Sequence, residues 1–356
     1  MLHFVWLIAC AVAIYLSCEW FVNAIEWLGL RMNIGRMAVG TVLAAFGTAL
    51  PESVVTLVAV VFGTTPAQKD IGVGAAMGGP LALATVAYGV TGLMLLLKRR
   101  GTGNGGGALA DAAENARLAR DQRWFLVVFI VKVGLGLVAF AFKPVLGLVF
   151  LATYAVYFWR EIRAESPEGS NSGTGSGLGP DPDSQVEAAQ DGEELELGPL
   201  KLQPKAASPA TWAVLTQTLV TLVVIFIASQ LFVHQLDAIG PRIGLPAAVT
   251  ALLLSPIATE LPEVMNAIIW VRQGKTKLAL ANISGAMMIQ ATVPSALGLL
   301  FTPWLFDSAV IWSGLVTMAA IVYLLAMLRA GRLTPTRLAW AGAFYLVFAA
   351  GLVYLL

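Results

Sequence analysis

The chain has 356 residues, 58% hydrophobic and 12% charged, with a formal net charge of +1. A soluble globular chain carries roughly 25% charged residues. The composition therefore excludes an ordinary soluble fold, and the near-neutral charge speaks against a nucleic-acid partner.

A bilayer crossing takes roughly 20 apolar residues as helix. Ten such spans are predicted, at 2–30, 37–63, 70–97, 124–142, 144–160, 210–236, 244–271, 278–302, 307–328 and 338–356. The chain is thus expected to be an all-α polytopic membrane protein with the lipid bilayer around it. The first span does not read as a cleaved leader, since no basic residues precede it and no small-residue cleavage site follows. It holds Cys10 and Cys18, the only two cysteines. At i, i+8 on one helix they cannot bridge and read as apolar filler. Two polar stretches interrupt the spans. Residues 101–123 begin Gly-rich and end as a charged, helix-like piece. Residues 164–209 are rich in Gly, Ser, Pro, Asp and Glu and predict a disordered linker. Its acids, Asp191 to Glu196 among them, read as solvated, because no calcium-loop spacing is present.

Basic residues set the orientation. With the N-terminus outside, the odd-to-even loops face the cytoplasm and hold 18 of the 22 Lys and Arg. That asymmetry is what the positive-inside rule expects. Both termini are then outside the cell (inner) membrane, and the 164–209 linker is cytoplasmic.

A phrase occurs twice, 211 residues apart: Gly47-Thr48-Ala49-Leu50-Pro51-Glu52 and Ala258-Thr259-Glu260-Leu261-Pro262-Glu263. Aligned without gaps at that shift, residues 40–80 and 251–291 share 11 identities in 41 positions. They include Thr48/Thr259, Pro51/Pro262, Glu52/Glu263, Gly74/Gly285 and Met77/Met288. The shift covers five spans, an odd number, so equivalent helices run in opposite directions. The expected organisation is a first five-helix repeat (1–163), the linker (164–209) and a second, inverted five-helix repeat (210–356).

A carboxylate inside a span is costly and marks a functional site by default. Thr48 and Glu52, like Thr259 and Glu263, are spaced i, i+4 and would share a helix face. Glu260 can join that face. Pro51 and Pro262 each free a carbonyl one turn earlier. Carboxylate, hydroxyl and carbonyl are hard oxygen donors, which suit calcium, magnesium or sodium. The candidate metal ligands are Glu52, Glu263, Thr48, Thr259 and Glu260. Asn266, Asn282, Ser284 and Gln290 are candidate neighbours of that site. Glu19 and Asn23 read as interhelical hydrogen-bonding groups or as the lining of an access path. Gly74-Ala75 and Gly285-Ala286 read as close-packing positions, and Lys132 is assigned no role.

These residues resemble the sodium/calcium exchanger membrane family of the cation/calcium antiporter superfamily. GTALPES (47–53) and ATELPEV (258–264) look like its two alpha-repeat phrases, and GAAM (74–77) and GAMM (285–288) fall where its later motifs lie. The resemblance implies a ten-helix exchanger in which helices 2, 3, 7 and 8 surround the ions while helices 1 and 6 move. It implies Glu52 and Glu263 as shared cation ligands, with Thr48 and Thr259 beside them. The chain departs from the family pattern at Ala49, Glu260, Ala76 and Met287, where polar ligands are lost and one carboxylate is gained. The expected function is calcium-for-sodium antiport at a mid-membrane carboxylate site, with proton coupling as the alternative. No resident cofactor is expected, since calcium, sodium and protons are substrates. An enzyme is not expected: the chain has only His3 and His234, with no His-Glu-x-x-His and no Gly-x-Ser-x-Gly. The sequence says nothing firm about oligomeric state.

Overall fold

The computed structural model describes residues 2–31, 49–102, 112–165, 198–206 and 208–356. Thr48, Gly47 and the acids Asp191 to Glu196 lie outside the described residues. Every regular element among the described residues is helical. The order begins with α1 (Leu2–Arg31) and α2 (Leu50–Leu57), which runs on through a π turn at Val58–Phe62. Next come α3 (Pro66–Ala82), a second π turn (Leu83–Ala87), α4 (Tyr88–Thr102), α5 (Ala112–Gly136) and α6 (Val145–Glu165). After the linker follow α7 (Thr211–Ile243), α8 (Ala247–Thr259), α9 (Leu261–Gln273) and α10 (Thr276–Phe301). The chain closes with α11 (Ser308–Arg329), α12 (Pro335–Ala339) and α13 (Ala341–Leu355).

Six of the described helices are long and apolar enough to cross a bilayer, or seven if the bent pair α8–α9 counts as one. The π turn at Val58–Phe62 and the shorter α6 belong to segments that fall below that length. The α5 helix starts earlier and stops sooner than the expected 124–142 span. Its charged first turns are packed, with Asn115, Asp121 and Gln122 buried. At its end the Phe306 ring fills the space beside Gly136, and Phe306 N–H donates to the Gly136 carbonyl at 3.0 Å.

The helices sort into an inner and an outer set. In the apolar windows of Pro66–Lys98 and Thr276–Phe301, 67% and 78% of residues are buried; in those of α1 and α7 only 28% and 39% are. The outer faces of α1 and α7 carry exposed Leu, Val, Ile and Trp, including Val5, Trp6, Leu219 and Val223. Such a surface suits lipid, and an all-round apolar helix needs a bilayer or a core. The α1 and α7 helices pack mainly on one another, and α3 packs chiefly on α8. That last contact depends on missing side chains: a Cβ on Gly74 would lie 2.0 Å from the Ala248 carbonyl oxygen, and one on Gly78 2.7 Å from that of Leu252.

Polar contacts join helix ends that the ten-span reading puts on one side. Lys98 Nζ donates to the carbonyls of Val271 (3.0 Å) and Arg272 (3.3 Å) at the end of α9. Lys143 Nζ donates to those of Pro303 and Trp304. Gln68 donates to Asp237 Oδ2 at 3.1 Å. The guanidinium of Arg31 meets Thr211 and the Pro209 carbonyl.

The end of the linker is packed. Leu200 is fully buried against Ala24, Ala213 and Val214. Asn23 Nδ2 donates to the Gly198 carbonyl (3.2 Å), and Asn23 Oδ1 accepts from Lys201 N–H (3.1 Å) and Gln217 Nε2 (3.2 Å). Gln217 Oε1 accepts from Leu202 N–H at 2.8 Å. One buried Leu and two amides satisfying its backbone thus hold residues 198–202 between α1 and α7, at the end of a linker expected to be largely disordered.

Candidate functional site

The candidate site lies where α2 begins and the α8–α9 helix breaks. Pro51 and Pro262 sit in the first turns of α2 and α9, where the missing N–H costs nothing. The break falls at Glu260, which ends α8 and begins α9 with φ −98° and ψ −3°, and the two helices meet at 41°. Pro262 has no N–H to return to Ala258, so the hydrogen-bond ladder is interrupted where the chain bends. Thr259 and Glu263 are therefore on different helices, and the uninterrupted shared face expected for them is absent.

Thr259 instead serves the opposite half of the chain. Its hydroxyl oxygen lies 2.8 Å from Glu52 Oε2, 3.0 Å from Glu260 Oε1 and 3.2 Å from the Ser255 carbonyl. Glu52, Thr259 and Ser255 are completely buried, and Glu260 nearly so. A hydroxyl has one proton to donate. It cannot satisfy two carboxylate anions at once. The cluster is satisfied when one carboxyl carries a proton and donates to the hydroxyl, or when a cation lies among the oxygens.

Gln290 on α10 holds the other end of Glu260, donating from Nε2 to Oε2 at 2.7 Å. The α3 backbone closes over this pair at Gly79, where a Cβ would lie 2.8 Å from Gln290 Oε1 and 3.0 Å from Glu260 Oε1. The repeat alignment carries a signal here. Glu260 matches Ala49 and Gln290 matches Gly79, so the second half gains two polar groups where the first has two small residues. Several buried oxygens around the site have no hydrogen-bond partner among the described residues: Glu52 Oε1, Thr56 Oγ1, Ser255 Oγ and Gln290 Oε1. These are hard donors of the kind that take calcium, magnesium or sodium.

Glu263 is fully buried in the first turn of α9 and interacts electrostatically with Cys18 on α1. No three His, Cys, Asp or Glu side chains among the described residues are grouped tightly enough to form a metal cluster. The structure thus joins Glu52, Thr259 and Glu260 directly, and sets Glu263 beside α1. Pro262 and Asn266 line a cavity of about 230 Å³ with Cys18, Glu19, Asn23 and Glu26. This cavity leads from the packed linker end, where Lys201 pairs with Glu19 at 3.4 Å, to the helix that carries Glu263. Ser284 faces elsewhere, accepting from Gln122 on α5 at 3.3 Å.

The sodium/calcium exchanger protein family matches this chain over residues 2–162 and 213–356, all but the linker region and the first residue. The chain belongs to that family. The exchanger is 24% identical over 352 residues to CaxA of Alkalimonas amylolytica, with 94% of each chain covered. Its fold is that of the solved H+/Ca2+ exchanger CAX, with a TM-score of 0.69 at 16% identity over 99% of this chain and 82% of the other. The sodium-calcium exchanger NCX_Mj, solved after soaking with Na+ and Sr2+, superposes with a TM-score of 0.59 at 15% identity over 98% of both chains. The exchanger is thus an all-α integral membrane antiporter of ions.

Proposed function

We propose that the exchanger moves calcium across the cell membrane in exchange for protons. Two related halves, 1–163 and 210–356, would present Glu52, Glu263, Thr48, Thr259 and Glu260 to the ion at mid-bilayer. The carrying observation is the single Thr259 hydroxyl between the carboxyls of Glu52 and Glu260. Without a metal ion that arrangement calls for a proton on one carboxyl. Calcium entering among the same oxygens repels that proton, because a divalent charge favours both carboxylates as anions. Competition for one set of oxygens, together with alternating access, is sufficient for antiport. The α1 and α7 helices, packed mainly on each other and facing lipid, are the natural moving pair. Calcium as cargo agrees with the similarity to an H+/Ca2+ exchanger and a sodium-calcium exchanger, whose low identity leaves the counter-ion to be read from the site itself. The chemistry is transport rather than catalysis, and the termini lie outside with the linker in the cytoplasm.

The test is radiolabelled calcium uptake into proteoliposomes under imposed gradients. Uptake driven by a pH gradient, and unchanged when sodium is replaced by choline, is the expected result. Uptake driven by a sodium gradient alone would establish the calcium-for-sodium exchange that the repeated phrase resembles and would reject proton coupling.

A further inference from the structure

Lys132 is a charged side chain with no contact to water. It is fully buried near the C-terminal end of α5, four residues before Gly136. Its ammonium donates to the carbonyl of Ala76 at 2.7 Å and to that of Gln290 at 3.4 Å, and lies 5.2 Å from the centre of the Phe129 ring. It interacts electrostatically with Glu52.

The two carbonyls have a common origin. Helix α3 contains Pro80, four residues after Ala76, and α10 contains Pro294, four residues after Gln290. Neither proline has an N–H to return to the carbonyl one turn before it. Both oxygens are orphaned inside the membrane, where each needs another partner. They face one point between α3 and α10, and Lys132 delivers a cation there. Trp304 fixes the delivery. It is fully buried, takes a left-handed backbone with φ 50°, and donates from Nε1 to the Lys132 carbonyl at 3.2 Å. Its ring fills the space at Gly298, where a Cβ would lie 1.9 Å from the ring edge. The repeat alignment puts Ala76 opposite Met287, so neither half offers a side-chain oxygen at this level.

We propose that Lys132 is a tethered cation, whose ammonium fills a monovalent-ion position formed by the freed carbonyls of Ala76 and Gln290 and so makes the neighbouring carboxylate site indifferent to sodium. A carbonyl cradle beside a carboxylate is a hard-donor environment that a small alkali ion would otherwise enter. An ammonium on a stem cannot leave with the cargo. The inference deepens the proton-coupled reading and rests on it for its consequence, but not for its test.

The experiment compares purified wild type with Lys132→Ala and Lys132→Arg, titrated with sodium chloride and with choline chloride. Thermal stability and calcium binding by calorimetry are read. The expected result is that sodium stabilises Lys132→Ala over choline and weakens its apparent calcium affinity by about tenfold, a change of roughly 1.4 kcal/mol. Wild type and Lys132→Arg respond to the two salts alike. A wild type that responds to sodium as the alanine variant does overturns the proposal. So does a folded alanine variant that treats sodium and choline alike. If the alanine variant unfolds in choline, extraction in sodium should recover it; recovery by neither salt marks Lys132 as a packing cap only and also overturns the proposal. Because the readouts are binding and stability, a wild type that moves no calcium would sink the antiport reading without deciding this one.

Discussion

Glu52→Gln should abolish calcium transport while leaving the fold intact. The substitution keeps the side-chain volume and an oxygen for Thr259, so the thermal midpoint should move little. What it removes is a completely buried carboxylate held 2.8 Å from the Thr259 hydroxyl. Losing one partner of a buried charge interaction costs about 2–5 kcal/mol. That corresponds to roughly 30- to 4,000-fold in calcium affinity. Calorimetric titration of the purified variant measures it. Wild-type affinity in Glu52→Gln would show that the cation is bound elsewhere.

Gly74→Val should prevent the protein from folding stably. A Cβ at Gly74 lies 2.0 Å from the Ala248 carbonyl oxygen, 2.7 Å from its carbonyl carbon and 2.9 Å from its Cα. These are backbone atoms and cannot rotate aside. Overpacking a well-packed site costs about 1–3 kcal/mol and more where the backbone must shift. Separating α3 from α8 would also part the elements around Glu260. The control is Gly134→Val on α5, where a Cβ meets nothing within 4 Å. The expected result is loss of monodisperse protein for Gly74→Val and a normal melting curve for Gly134→Val. Equal behaviour of the two would contradict the close α3–α8 contact.

Much of the site was legible because membrane residues carry strong local signals. Polar residues stand out in apolar runs, and duplication gave the same Thr-x-x-Pro-Glu phrase twice. Pro262 pointed to a freed carbonyl near Ala258, and the helix indeed breaks at Glu260. The partnering was less legible. Helical spacing pairs Thr259 with Glu263, but the break turns the Thr259 hydroxyl to Glu52, 207 residues away. A period describes faces of one helix and is silent about which faces meet. Lys132 reads in sequence as a basic residue able to snorkel. Only the prolines four residues after Ala76 and Gln290 betray two carbonyls waiting for it, and nothing local says that α5 lies between them. The linker shows the same limit at smaller scale. Its composition predicts disorder, yet Leu200 and the amides of Asn23 and Gln217 suffice to hold its end. Thr48, the repeat counterpart of Thr259, lies outside the described residues.

On the proposed mechanism, calcium and protons compete for the oxygens joined by Thr259. Proton release on calcium binding tests it most directly. Purified exchanger would be titrated with calcium by calorimetry in buffers of different ionisation enthalpy at constant pH. The expected result is release of about one proton or more per calcium, with an apparent affinity that weakens as pH falls. Calcium binding of equal strength at all pH values, with no proton released, would contradict it.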